Sequence, residues 1–155
     1  MKVKWKSLLI ALGIPLAVGG LGALLSGGMD QYGVMVKPPL SPPGWVFPVV
    51  WTVLYLLMGW ASWLVWRSKA PTPQKRGALR LYGAQLLANF IWPLLFFGGE
   101  LYLAALLWLA VLWILILLTI RAFSAISERA GDLLIPYILW VSFAAYLNLG
   151  IFLLN

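Results

Sequence analysis

Asn89 and Trp92 stand three residues apart in a mostly apolar stretch of the chain. On a helix that spacing puts both side chains on one side, within a turn of each other. Trp140, Ala144 and Leu147 follow i, i+4, i+7 spacing, one stripe with a small residue at its middle. Trp51 and Tyr55 lie at depth in a third such stretch. A buried indole N–H wants a partner, and in hydrocarbon that partner must be protein or ligand. A few polar groups among aromatic rings suit binding of a flat, apolar molecule, with Ala144 leaving the notch that admits it. Ordinary helix–helix packing, with Ala144 permitting close approach, accounts for the same spacing. Both readings stand at this point.

Catalysis has little to draw on. The chain has no Cys and no His, which excludes disulfides, thiolate nucleophiles, Cys/His metal sites and a Ser-His-Asp triad. Haem cannot be ligated through His or Cys either. No metal, no cofactor and no conventional catalytic residue is expected. The acidic residues Asp30, Glu100, Glu128 and Asp132 all lie outside the apolar stretches. A proton relay or ion pathway would place ionisable groups inside them, so an ion pump is not expected.

The elements that must position these side chains follow from composition. Hydrophobic residues make up 63% of the 155 and charged residues 10%, against about 45–50% and about 25% in soluble domains. Five apolar spans, 8–25, 45–66, 81–97, 101–120 and 133–154, contain no charged residue, and each approaches the roughly 20 residues that cross a bilayer. The sequence therefore predicts an all-α integral membrane protein, a single transmembrane domain built as a five-helix bundle. The basic start before the first span resembles a signal peptide, but the apolar run exceeds the about 7–15 residues of one; a retained helix is expected.

Charge sets the orientation. Lys2, Lys4, Lys6, Arg67, Lys69, Lys75, Arg76, Arg80, Arg121 and Arg129 fall on one side of a five-span chain, and only Lys37 on the other. The positive-inside rule then predicts a cytoplasmic N-terminus and an extracytoplasmic C-terminus. The net charge of +7 reads as a topology signal, and no base-reading motif suggests nucleic acid. Between spans, 68–77 reads as a polar linker, Gly98-Gly99-Glu100 as a tight turn, and 124–132 as a polar loop whose Asp132 favours the start of the last helix. Pro15, Pro48, Pro93 and Pro136 lie in or near the ends of four spans, where proline tends to kink a helix. Gly83, Ala84 and Ala88 permit close approach, either within the chain or in a homodimer.

Three stretches, "KPPLSPPGWVFPVVWTVLYLLMGWASWLVW", "AQLLANFIWPLLFFG" and "LLIPYILWVSFAAYLN", resemble the translocator protein family, known in bacteria as TspO or tryptophan-rich sensory protein and in animals as the peripheral benzodiazepine receptor. The resemblance covers nearly the whole chain. It implies a five-helix bundle, often a homodimer, binding porphyrins and other tetrapyrroles in a pocket under the first extramembrane loop. Carried over residue by residue, that pocket uses Tyr32, Trp51, Asn89, Trp92, Trp140, Ala144 and Leu147, with Tyr55 at the same depth. The chain has Leu40 where the family commonly has Trp, and no basic residue follows Asn148, so the sterol-associated L/V-x-Y-x-K/R pattern is absent.

Pro38, Pro39, Pro42 and Pro43 give the loop a stiff, extended course, a lid that orders at little entropic cost. Lys37 at the mouth is placed to meet a ligand carboxylate. The leading expectation is a tetrapyrrole-binding membrane sensor or regulator. The alternatives are a transporter of tetrapyrroles or lipophilic ligands, and light-dependent porphyrin breakdown with Trp51 and Trp140 as oxidisable partners.

Overall fold

The computed structural model describes residues 4–27 and 30–155; Lys2 lies outside the described residues. The helices are α1 (Trp5–Leu25), α2 (Val46–Trp66), α3 (Thr72–Pro93), α4 (Tyr102–Ile126), a short α5 (Glu128–Asp132) and α6 (Ile135–Leu154). A 3-10 turn at Asp30–Gly33 follows α1, and a π turn at Leu94–Gly98 continues α3. Trp5–Leu25, Val46–Trp66, Thr72–Gly98, Tyr102–Ile126 and Glu128–Leu154 are long and apolar enough to cross a membrane. The protein is an all-α, five-span bundle with no strand among the described residues.

Two helices outrun their apolar spans. The residues read as a linker, 68–77, largely belong to α3, which starts at Thr72 with a proline in its first turn and buries Ala78. Proline is tolerated there because the first amides of a helix have no intrahelical acceptor. Likewise α4 continues past Arg121 to Ile126, with Phe123 fully buried. The loop after it is mostly helix as well. Ser127 caps α5 by accepting from the Ala130 amide at 3.4 Å, and Glu128 occupies the first turn. Asp132 ends α5 rather than starting α6, so the acid at a helix N-terminus is Glu128. Of the four span prolines, Pro15 and Pro93 lie inside helices, while Pro48 and Pro136 sit in first turns.

Side-chain contacts fix the order around the bundle as α1, α2, α6, α4, α3. Trp63 Nε1 of α2 donates to Ser7 Oγ of α1 at 3.0 Å, and Gly59 lies against the Ala11–Leu12 backbone. Trp51 of α2 meets Tyr137 of α6 edge to face, centroids 6.2 Å apart. Trp113 Nε1 of α4 donates to Ser142 Oγ of α6 at 2.9 Å, and Trp108 Nε1 of α4 to the Ala88 carbonyl of α3 at 2.8 Å. Gly22 of α1 closes the ring on Phe90 and Pro93 of α3. Met58, Leu112, Ile116, Phe123 and Val141 fill the centre. Ala88 is thus spent on packing inside the chain; Gly83 and Ala84 stay exposed on α3.

Candidate ligand-binding site

At the end of the bundle that carries the first loop, α1, α2 and α3 frame a half-open cavity of about 280 Å³. Helical spacing supplies one wall, because Phe47, Trp51 and Tyr55 recur every four residues of α2. Trp51 and Tyr55 stack, centroids 5.5 Å apart and planes 26° apart. The second wall is Asn89, Trp92 and Pro93 of α3, and the third is Leu16, Gly19, Gly20 and Ala23 of α1. Gly19 lies directly against the Tyr55 ring, so a side chain there would displace it, whereas a Cβ on Gly20 would meet nothing within 4 Å.

The polar groups form a chain across three helices. Tyr55 OH donates to Asn89 Oδ1 at 3.0 Å, Asn89 Nδ2 donates to Tyr137 OH at 2.8 Å, and Tyr137 OH donates to Gln85 Oε1 at 2.6 Å. Asn89, Tyr137 and Gln85 are all buried. Trp92 Nε1 is held by Asn148 Oδ1 at 3.1 Å, and Asn148 Nδ2 in turn donates to the Tyr102 carbonyl at 2.8 Å. These bonds fix the ring planes that wall the cavity. No group of metal-ligating residues occurs among the described residues.

The structure therefore brings Trp51, Tyr55, Asn89 and Trp92 onto one cavity. It places the α6 residues elsewhere. Ala144 and Leu147 line a separate void of about 20 Å³ with Tyr32, Phe96 and Asn148, and Phe47, Trp92 and Phe97 form the partition between the two spaces. Trp140 faces an outer groove between α2 and α6 and packs on Phe47, centroids 5.7 Å apart. Its buried Nε1 has no hydrogen-bond partner. Trp51 and Trp140 thus border different spaces. Phe47, Pro48, Thr52, Pro93, Phe97 and the α1 wall also line the first cavity and were not among the site residues that sequence reasoning picked out. Phe47 had a signal, one turn before Trp51 on the same face; the glycines of α1 had none.

The proline loop roofs this end of the bundle. Met35 packs with Phe96, Ala105 and Ile151. Pro38 sits on Gly150, Pro39 O accepts from Tyr146 OH at 2.5 Å, and the Val36 backbone is paired to the Asn155 side chain, its N–H to Oδ1 at 3.2 Å and its carbonyl from Nδ2 at 2.8 Å. Tyr32 packs edge-on against Phe47, centroids 5.0 Å apart, and its hydroxyl donates to the Pro42 carbonyl at 2.6 Å. Burial raises the Tyr32 phenol above its ordinary pKa, with the Ser41 hydroxyl opposing. It stays a neutral donor at physiological pH. Lys37 Nζ is occupied within the loop, donating to the Tyr32 and Met35 carbonyls at 2.7 and 3.3 Å while lying 4.7 Å from the Tyr32 ring centroid. Pro43 O accepts from the Val46 amide at 3.1 Å, turning the loop into α2.

Comparison with known proteins agrees with this architecture. The sequence model of the TspO/MBR family matches residues 11–154. The chain is 40% identical over 151 residues to the tryptophan-rich protein TspO of Chlorobaculum tepidum, covering 96% of each. It is 36% identical over 155 residues to the tryptophan-rich sensory protein of Cereibacter sphaeroides, covering 100% of this chain and 95% of that one. The translocator protein of Ovis aries is 36% identical over 122 residues, 78% of this chain and 72% of its own. A match across nearly all five spans, on a bundle of this construction, has one meaning: the chain belongs to the TspO/MBR family.

Proposed function

We propose that this protein is a membrane receptor of the sensor or regulator kind for a flat, apolar ligand of the tetrapyrrole class. The observation that carries the proposal is the cavity walled by Trp51, Tyr55 and Trp92, with Asn89 as its buried polar group. Its volume of about 280 Å³ falls just below the roughly 300–1,000 Å³ of small-molecule sites. Phe47, Trp92 and Phe97 stand between it and the void beside Ala144 and Leu147, and a rotation of Phe47 would extend the site toward α6. A propionate at the loop would meet the third Lys37 N–H, since an ammonium carries three donors and two are engaged. The light-driven reading gains nothing from the tryptophans, which border different spaces.

Titration of the detergent-purified protein tests this directly through quenching of its tryptophans. Protoporphyrin should quench saturably, and metal-free protoporphyrin should bind at least as well as haem, because no His or Cys is present to ligate iron. Non-saturable quenching, or much tighter haem binding with a ligated-iron spectrum, overturns the proposal. Loss of porphyrin absorbance only under illumination would favour the degradative reading instead.

We further propose that the loop end faces outside and the N-terminal end the cytoplasm. Among described residues, Lys4, Lys6, Arg67, Lys69, Lys75, Arg76, Arg80, Arg121 and Arg129 flank one end of the spans. Reporter fusions should find the C-terminus outside; a cytoplasmic C-terminal reporter contradicts the assignment.

A further inference from the structure

At the end of the bundle opposite the loop, α1 and α3 draw apart. They meet at Gly22 with Phe90 and Pro93, and nearer the N-terminal end the space between them and α2 opens into a groove of about 450 Å³. Its walls are Ile10 and Ile14, Trp63 and Trp66, and Leu79 and Leu86. Gly83 lines it too, and a Cβ there would meet nothing within 4 Å. The groove runs for about seven residues of each flanking helix, roughly 10 Å. The serine hydroxyls along it are already engaged. Ser7 accepts from Trp63 and donates to the Lys4 carbonyl, and Ser62 donates to the Gly59 carbonyl. Tyr82, only 7% exposed, completes the polar lining beside Ser62.

Charge distinguishes this groove from the other apolar surfaces. Lys4 and Lys6 stand at the start of α1, and Arg67 lies over the Trp63 ring, 4.5 Å from its centroid. Arg76 and Arg80 are exposed on α3, one turn below Leu79 and Gly83 on the same face. None of the three helices contains an Asp or Glu. An apolar slot with a rim of one charge sign matches a molecule with an aliphatic tail and an anionic head.

We propose that the groove seats an acyl chain of an anionic phospholipid, with the phosphate at the Arg76–Arg80 rim. The inference is independent of the tetrapyrrole reading, since the two spaces share no lining residue. A zwitterionic lipid with the same chains fills the slot equally well but gains less from the rim, so headgroup preference is the signature.

Native mass spectrometry of the full chain, with phosphatidylglycerol and phosphatidylcholine of identical chains in equal amounts, reads that preference. Phosphatidylglycerol should be retained about fivefold or more over phosphatidylcholine. The paired exchanges Arg76→Gln and Arg80→Gln, both at exposed positions, should bring the two lipids to near parity. Gly83→Leu, which projects into the groove, should cut retention of phosphatidylglycerol while the melting temperature in lipid-free detergent holds. Equal retention of both lipids by the unaltered chain overturns the proposal. So does an undiminished preference in the arginine variant, or undiminished retention in a folded Gly83→Leu protein.

Discussion

Replacing Gly59 with valine is expected to lower the melting temperature of the ligand-free protein by roughly 6–12 °C. A Cβ on Gly59 would stand 2.5 Å from the Ala11 carbonyl oxygen and 2.7 Å from Leu12 Cα. Both are backbone atoms of α1, so no side chain can swing aside and the helices must separate. Overpacking costs about 1–3 kcal/mol where side chains can adjust, and the rigid contact here puts the cost near the top of that range. At about 2–4 °C per kcal/mol for a chain of this size, the shift is easily measured. Gly13→Val, at a position where a Cβ meets nothing within 4 Å, is the control. Equal melting temperatures for the two variants would mean that α1 does not pack on α2 through Gly59.

Asn89→Leu, close in volume to the residue it replaces, should damage stability and binding together. Leucine removes the acceptor for Tyr55 OH and the donor to Tyr137 OH. Hydrogen bonds between membrane helices average about 0.6 kcal/mol and reach about 1.7, so two of them set the stability loss at roughly 1–3 kcal/mol. Protoporphyrin affinity should fall about tenfold, or about 1.4 kcal/mol, as the cavity loses its buried amide and Tyr55 is released from its orientation. Tyr55→Phe breaks only the first bond and should give the smaller loss; the double variant reports their coupling. Undiminished affinity in a folded Asn89→Leu protein would remove Asn89 from the site.

Hydropathy reported the spans well because it measures the same quantity the bilayer does, apolar surface along the chain. It misplaced the ends of α3 and α4 for the same reason. Lys75, Arg76 and Arg80 sit on α3, and Arg121 on α4, but a helix does not end where the hydrocarbon does, and long basic side chains reach the headgroups from inside it. The candidate site was legible where chemistry marks residues. Trp51, Tyr55, Asn89 and Trp92 stand out by type and depth, and they converge. The α6 stripe has the same periodic signature, yet Ala144 and Leu147 lie behind the Phe47 partition. Which way a phenylalanine turns is settled by its neighbours Tyr32 and Trp140, which come from distant parts of the chain. The α1 wall could not be read at all, because Gly19 and Gly20 line a cavity by what they lack.

The loop that roofs this end of the bundle also fixes an order of assembly. Val36 is fastened to Asn155, 119 residues further along, and Pro39 to Tyr146, 107 residues along. Contacts so remote in sequence carry the full entropy of closing a long loop. They also cannot form until the last helix exists. As the chain is made from its N-terminus, the segment between α1 and α2 emerges early and stays without these anchors while α3, α4 and α5 are added. Only when α6 takes its place between α2 and α4 do Gly150, Tyr146 and Asn155 become available to it. The part of the protein that roofs this end of the bundle is written near the beginning of the chain and set in place late.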